Sequence, residues 1–199
     1  MKSLFTTSVY HNKISFDLKD LAQEINLIQK SDHTGKEWSA QNYKNGYTSY
    51  GSLDQLHKLS STFALLEKKI NTHVNRYLKQ LDYEVTTKSD LKMITCWVNV
   101  MPSLAQHTTH IHPQSVISGT FYVAFPTGAS AIKFEDPRLG FFMNSPAVKS
   151  DAKLENQRFV SLPAKSGDLV LFESWLRHEV PTNQSKTPRI SISFNYGWS

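Results

Sequence analysis

From Leu91 onward the chain runs in short stretches of β-branched and aromatic residues, cut by Pro, Gly and Asn. Eight of these, at 93–100, 106–112, 116–125, 130–135, 157–161, 168–173, 177–181 and 189–196, predict strands. Spacing this tight suits a sandwich or a rolled barrel rather than alternating βα units. The largest interruption, Asp136 to Asn156, reads as a loop.

The front of the chain has a different texture. Leu18, Leu21, Ile25 and Ile28 recur at steps of three and four, with Asp17 placed to cap them, so the spacing predicts a helix over 17–30. Residues 31–51 are polar and rich in Gly, Ser, Asn and Tyr, which predicts loop. A longer helical pattern runs from Leu56 to Leu81, with Ser60 and Ser61 as a break within it and His73 at its surface or boundary. With 199 residues and 39% hydrophobic content, one core is expected. The expected domain is therefore single, 1–199, with 1–90 as helical support and 91–199 as the β core.

The chemistry concentrates between His107 and Tyr122, in HTTHIHPQSVISGTFY. Residues two apart on a strand share a face, so His110 and His112 point together while Ile111 points away. That pair is a two-toothed metal clamp, and His178 in SWLRHEV is the expected third donor. His107, three residues from His110, is expected on the other face as an ordinary hydrogen-bonded residue. Further on, Arg189, Ser191 and Ser193 share a strand face, and a buried guanidinium beside a hydroxyl makes a fork for a carboxylate. Arg138 and Arg177 read as surface or salt-bridged residues, and Trp97, Trp175 and Trp198 as core aromatics.

Several function classes find little support. Cys96 is the lone cysteine, so no internal disulfide or CxxC clip can form, and a reducing, cytoplasmic setting is expected. No run reaches the ~20 apolar residues of a membrane span. The net charge of +5 admits an anionic partner, yet the lysines are scattered without interleaved aromatics, so nucleic acid is not indicated. A homodimer is allowed but not specified.

Taken in order, HxHP with SGTFYV, then EDPR, then SGDLVLFESWLRHEVP and finally RISISFN resemble the 2-oxoglutarate- and iron(II)-dependent oxygenases, in particular a bacterial and phage branch of that superfamily. The resemblance spans roughly residues 90 to 198, and more loosely the front, including GYTS at Gly46 to Ser49. It implies a mainly β protein with N-terminal helices around a double-stranded β-helix, or jelly-roll, and a metal at the open end. It further implies that His110 and His178 bind Fe(2+), and that Arg189 with Ser191 anchors the distal carboxylate of 2-oxoglutarate. Tyr122 and Asn99, on neighbouring strands, are candidates for further hydrogen bonds to that co-substrate. The implied reaction is dioxygen-dependent, releasing succinate and CO2 and most often hydroxylating a second substrate, whose identity the resemblance leaves open. The loop from Asp136 to Asn156, with Gly140, Phe141, Phe142 and Pro146, is the candidate lid or substrate-selecting wall.

One residue departs from the superfamily pattern. Where a carboxylate usually follows two residues after the first histidine, this chain has His112. Three arrangements are open: His112 completes a three-histidine iron site, Asp136 supplies the carboxylate, or His112 stands behind while water or an anion fills the place. Strand geometry favours the first. Three neutral imidazoles would also suit a zinc hydrolase or hydratase, although Arg189 and Ser191 would then lack a ligand. A cupin-like isomerase or non-enzymatic binding module is the other alternative, but Ser115, Val116 and Ile117 stand where cupins carry a glutamate.

Overall fold

Each of the eight predicted strands forms in the computed structural model, which describes residues 2–84 and 91–198. They are β3 (Leu91–Met101), β4 (His107–His110), β5 (Ile117–Ala124), β6 (Ile132–Glu135), β7 (Phe159–Leu162), β8 (Asp168–Glu173), β9 (His178–Val180) and β10 (Arg189–Trp198). Two more precede them, β1 (Tyr10–Lys13) and β2 (Tyr47–Thr48). A six-stranded sheet runs β1-β8-β5-β10-β3-β2 and a four-stranded sheet runs β4-β9-β6-β7; their pairings are antiparallel.

Period-two alternation divides the larger sheet into two faces with different chemistry. Ile192, Phe194 and Tyr196 of β10 turn outward with Cys96, Val98 and Val100 of β3. Against them pack two amphipathic helices, α1 (Leu18–Ser31) through Leu21 and Ile25, and, after the short α3 (Leu56–Leu59), α4 (Ser61–Gln80) through Phe63, Leu66 and Ile70. Burying each such side chain contributes about 1.5–3 kcal/mol, so this layer fixes the sheet's orientation. The alternate residues turn inward toward the smaller sheet, where Tyr122, Val170 and Phe172 meet Ile132 and Phe134. Nearer the mouth, the same inner face carries Trp97, Asn99, Arg189, Ser191 and Ser193. One sheet thus supplies a packed outer surface and a polar inner one.

The helix ends follow their caps. Asp17 accepts from the backbone N–H of Lys19 and Asp20 at the start of α1, and Ser60 accepts from Phe63 at the start of α4, where the Ser-Ser break was expected.

Residues 31–51 depart from the loop expectation by containing α2 (His33–Asn42) as well as β2. This helix has almost no apolar stripe, so periodicity carries no sign of it. It is held by Asp32, which is buried, caps α2 by accepting from the Gly35 N–H at 2.8 Å, and also accepts from Tyr47 Oη at 2.8 Å and Ser52 Oγ at 2.5 Å. Trp175 and Trp198 are likewise not core aromatics: they are 47% and 61% exposed. Among the described residues no helix is long and apolar enough to cross a membrane.

Candidate metal and co-substrate site

β4 and β9 pair so that His110 lies opposite His178 and His107 opposite Val180, with an irregularity between the two positions. Three steps along β4 therefore match two along β9, which is a β-bulge. The bulge cancels the alternation that would have sent His107 away. Its ring comes within 6.2 Å of His110, centroid to centroid, and lies 4.2 Å from the ring of Tyr43. His107 is therefore part of the site's wall, contrary to the expectation from spacing alone.

His112 sits beyond the end of β4 and is fixed by its own backbone, whose N–H donates to Ser174 O at 3.0 Å. Ring centroids stand 4.4 Å apart for His110 and His178, 5.1 Å for His110 and His112, and 5.2 Å for His112 and His178. One nitrogen from each ring lies within 4.8 Å of the others. His110 Nδ1 donates to Thr108 O at 2.7 Å and His178 Nδ1 donates to Leu176 O at 2.8 Å. A carbonyl only accepts, so these bonds put the proton on Nδ1 and leave the Nε2 lone pair free for a cation. Burial, with the neighbouring charge of His110 adding to it, pushes His178 down to about 3 and His112 to about 4. Both rings are thereby kept in the neutral form a metal requires.

A buried polar network stands behind His112. Asn195 lines the outer chamber with His112, accepts from Ser118 Oγ at 2.7 Å and donates to Thr95 Oγ1 at 3.0 Å. Ser118 in turn shares a 2.7 Å bond with Ser174. Asn195 was missed, although it continues the period-two row from Arg189 through Ser191 and Ser193.

Arg189 is 2% exposed, and among the described residues no carboxylate pairs with it. Its Nη1 reaches Ser191 Oγ at 3.3 Å and Met101 Sδ at 3.0 Å, its guanidinium lies 4.8 Å from the Tyr122 ring centre, and its Nε has no partner. Asn99 Nδ2 donates to Ser193 Oγ at 3.0 Å while its Oδ1 is buried and unpaired. The hydroxyls of Tyr122 and Thr120 are also buried without partners, and Thr120 is a further residue that sequence reasoning missed. A buried cation ringed by unsatisfied polar atoms is costly unless an anion meets it.

Arg189, Asn99 and Ser191 share one inner cavity of about 60 Å³ with His107, His110, His112 and His178. A larger chamber of about 290 Å³ opens beside it, and Trp97, His107, His110 and His112 line both. Trp97 is thus a site residue that stacks on His112 at 6.0 Å, although it is almost wholly buried as expected of a core aromatic.

Asp136 does not join the histidines. Its carboxylate is held by Arg138 at 2.9 Å and Arg158 at 3.7 Å, and no residue from Asp136 to Asn156 lines either chamber. That loop borders a separate cleft through Leu139, Phe142 and Pro146, so it does not lie over the site as a lid. Arg138 and Arg177 are salt-bridged at the surface, to Asp136 and to Glu135.

A jelly-roll of two facing antiparallel sheets, with three convergent imidazoles and an unpaired arginine in its cleft, has the donors for a non-haem metal and a dianion. Residues 95–195 match the model of the 2OG-Fe(II) oxygenases, and the chain belongs to that family of iron- and 2-oxoglutarate-dependent oxidoreductases. A search of curated protein sequences returned no match.

Among solved structures, the chain is similar to HygX from Streptomyces hygroscopicus with nickel, 2-oxoglutarate and hygromycin B bound, at 13% identity and a TM-score of 0.63, covering 98% of this chain and 84% of that one. The epimerase SnoN of nogalamycin biosynthesis is similar at 14% identity and a TM-score of 0.64, covering 96% and 77%. A Pseudomonas putida prolyl-4-hydroxylase is similar at 11% and 0.59, covering 98% and 94%. At these identities the likeness is one of fold.

Proposed function

We propose that this protein is a dioxygenase in which His110, His112 and His178 hold ferrous iron, Arg189 and Ser191 hold 2-oxoglutarate, and a second substrate is hydroxylated beside them. The observation that carries this reading is Arg189, a buried guanidinium without a carboxylate, in one cavity with three imidazoles whose ligating nitrogens converge. When bound, the iron supplies dioxygen activation coupled to oxidative decarboxylation, so that one oxygen atom enters succinate as CO2 leaves and the other enters the substrate.

The chain's own residues do the positioning. The bonds from Nδ1 of His110 and His178 to backbone carbonyls orient those rings, and the His112 N–H donating to Ser174 O fixes its backbone. Arg189 offers two charge-assisted bonds to the distal carboxylate, and the unpaired atoms of Asn99, Thr120 and Tyr122 provide further partners nearby. Phe172, packed 4.5 Å from His178, and Trp97 beside His112 keep water from the cleft. A zinc hydrolase would use the histidines and leave the Arg189 charge buried without a ligand, which favours the oxygenase reading over it.

The test is oxygen-dependent release of succinate from 2-oxoglutarate by the iron-loaded protein. Turnover is expected from the wild type, absent from His178→Ala and absent from Arg189→Ala. Turnover that survives in Arg189→Ala, or no turnover by iron-loaded wild type with any substrate of a broad panel, would contradict the proposal.

A further inference from the structure

The outer chamber beside the histidines is walled by aromatic rings from the front of the chain. Trp38 of α2 meets Tyr50 edge-on at 6.1 Å, Tyr50 meets Trp97 at 5.1 Å, and Tyr43 closes the wall against His107. Two glycines allow these rings their places. A Cβ on Gly51 would fall 2.4 Å from the Trp38 ring, and one on Gly46 would fall 2.5 Å from the Tyr43 ring. The GYTS segment therefore seats the wall as well as supplying β2.

Among the described residues, the lining holds no Asp, Glu, Lys or Arg side chain. Three of its polar side chains are committed within the protein: Asn42 donates to Trp38 O at 2.9 Å, Thr48 Oγ1 accepts from Tyr50 N–H at 3.2 Å, and Asn195 accepts from Ser118 and donates to Thr95.

We infer that this chamber is the second-substrate site, and that it takes a small neutral ring compound. An ion entering here would lose hydration among side chains that carry no charge, and for an anion the single net positive charge of the loaded centre offsets only part of that cost. A cation gains from aromatic faces, but it meets a centre that is itself positive. This last step rests on the proposed function: ferrous iron with three neutral imidazoles, the dianion and Arg189 leaves one net positive charge. At about 290 Å³ the chamber lies at the small end of ligand pockets, which suits one ring system rather than a polymer segment.

The test uses the full chain, labelled with nitrogen-15 and loaded with zinc(II) and 2-oxoglutarate, and follows the tryptophan indole N–H signals. Trp38 and Trp97 line the chamber, while Trp175 and Trp198 lie outside it and serve as internal controls. The probes are benzamide, benzoate and benzamidinium, which share a shape and differ in charge. Benzamide is expected to shift the Trp38 and Trp97 signals and to bind at least ~10-fold more tightly than either ion. Tyr50→Ala, which removes a half-exposed ring from the wall, is expected to weaken benzamide binding.

Equal or tighter binding of benzamidinium or benzoate would overturn the inference, as would shifts confined to Trp175 and Trp198 or no shift with benzamide. Loading with 2-oxoglutarate is read first from the same spectra. If that fails, the proposed function fails; if it succeeds and benzamide does not bind, only the chamber's assignment fails.

Discussion

His112 and His178 are 66 residues apart in sequence, yet their Nε2 atoms stand 3.3 Å apart. Without metal, that approach is an N–H···N hydrogen bond from His112 protonated on Nε2 to the lone pair of His178; with the His112 proton on Nδ1, both lone pairs face one point that a cation can fill. Replacing His112 with Ala is expected to lower ferrous affinity by at least the ~100-fold that loss of a supporting partner costs. His112→Asp is expected to retain binding, because a carboxylate can fill the same position. Calorimetric metal titration of the two variants checks this, and equal loss in both would show that the site demands imidazole.

Arg189 predicts an unusual separation of stability from binding. Without a diacid its charge is buried and unpaired, so Arg189→Met is expected to leave the ligand-free protein as stable as the wild type or more so. The same variant is expected to lose the rise in Tm that 2-oxoglutarate gives the wild type, while metal binding persists. Thermal unfolding with and without 2-oxoglutarate measures both effects.

The buried histidines predict acid sensitivity of the metal-free protein. Burial, followed by the charge of His110, pushes His107 and His178 to about 3, and the same causes push His112 to about 4, from an ordinary 6.5. Between those values the unfolded chain binds more protons than the folded one, so stability increases with pH across that interval. It is expected to be complete above pH ~6.5 and to fall progressively as the pH drops toward ~4. Unfolding midpoints across that window check the slope, and His107→Phe is expected to reduce it.

Asp32 ties α2 to β2 and to the turn at Ser52. Asp32→Ala removes a helix cap and two side-chain hydrogen bonds, and is expected to cost ~2–4 kcal/mol in chemical denaturation. Metal affinity is expected to persist, since, among the described residues, the Asp32 carboxylate bonds Gly35, Tyr47 and Ser52 and none of His110, His112 or His178.

What could be read from residues alone follows physical lines. The strands were legible because β-branched runs bounded by Pro, Gly and Asn recur through 91–198, and the period-two row through Arg189, Ser191 and Ser193 placed all three on the cavity face. His110, His112 and His178 were brought together as expected, though His112 is aimed by a backbone bond to Ser174 rather than by strand alternation. His107 escaped because a bulge is a property of two paired strands and leaves no mark on one of them. The segment 31–51 escaped because α2 is held by Asp32 rather than by an apolar stripe, and with it went Trp38 and Tyr43. Asp136, sequence-adjacent to candidate chemistry, is taken instead by Arg138 and Arg158.

The most direct measurement is an anaerobic titration of the protein with ferrous iron followed by 2-oxoglutarate, monitored by visible absorption. One iron and one 2-oxoglutarate per chain are expected, with a weak charge-transfer band that requires both and disappears in His178→Ala and in Arg189→Ala. Retention of zinc together with no binding of 2-oxoglutarate, or an unchanged band in Arg189→Ala, would contradict the account.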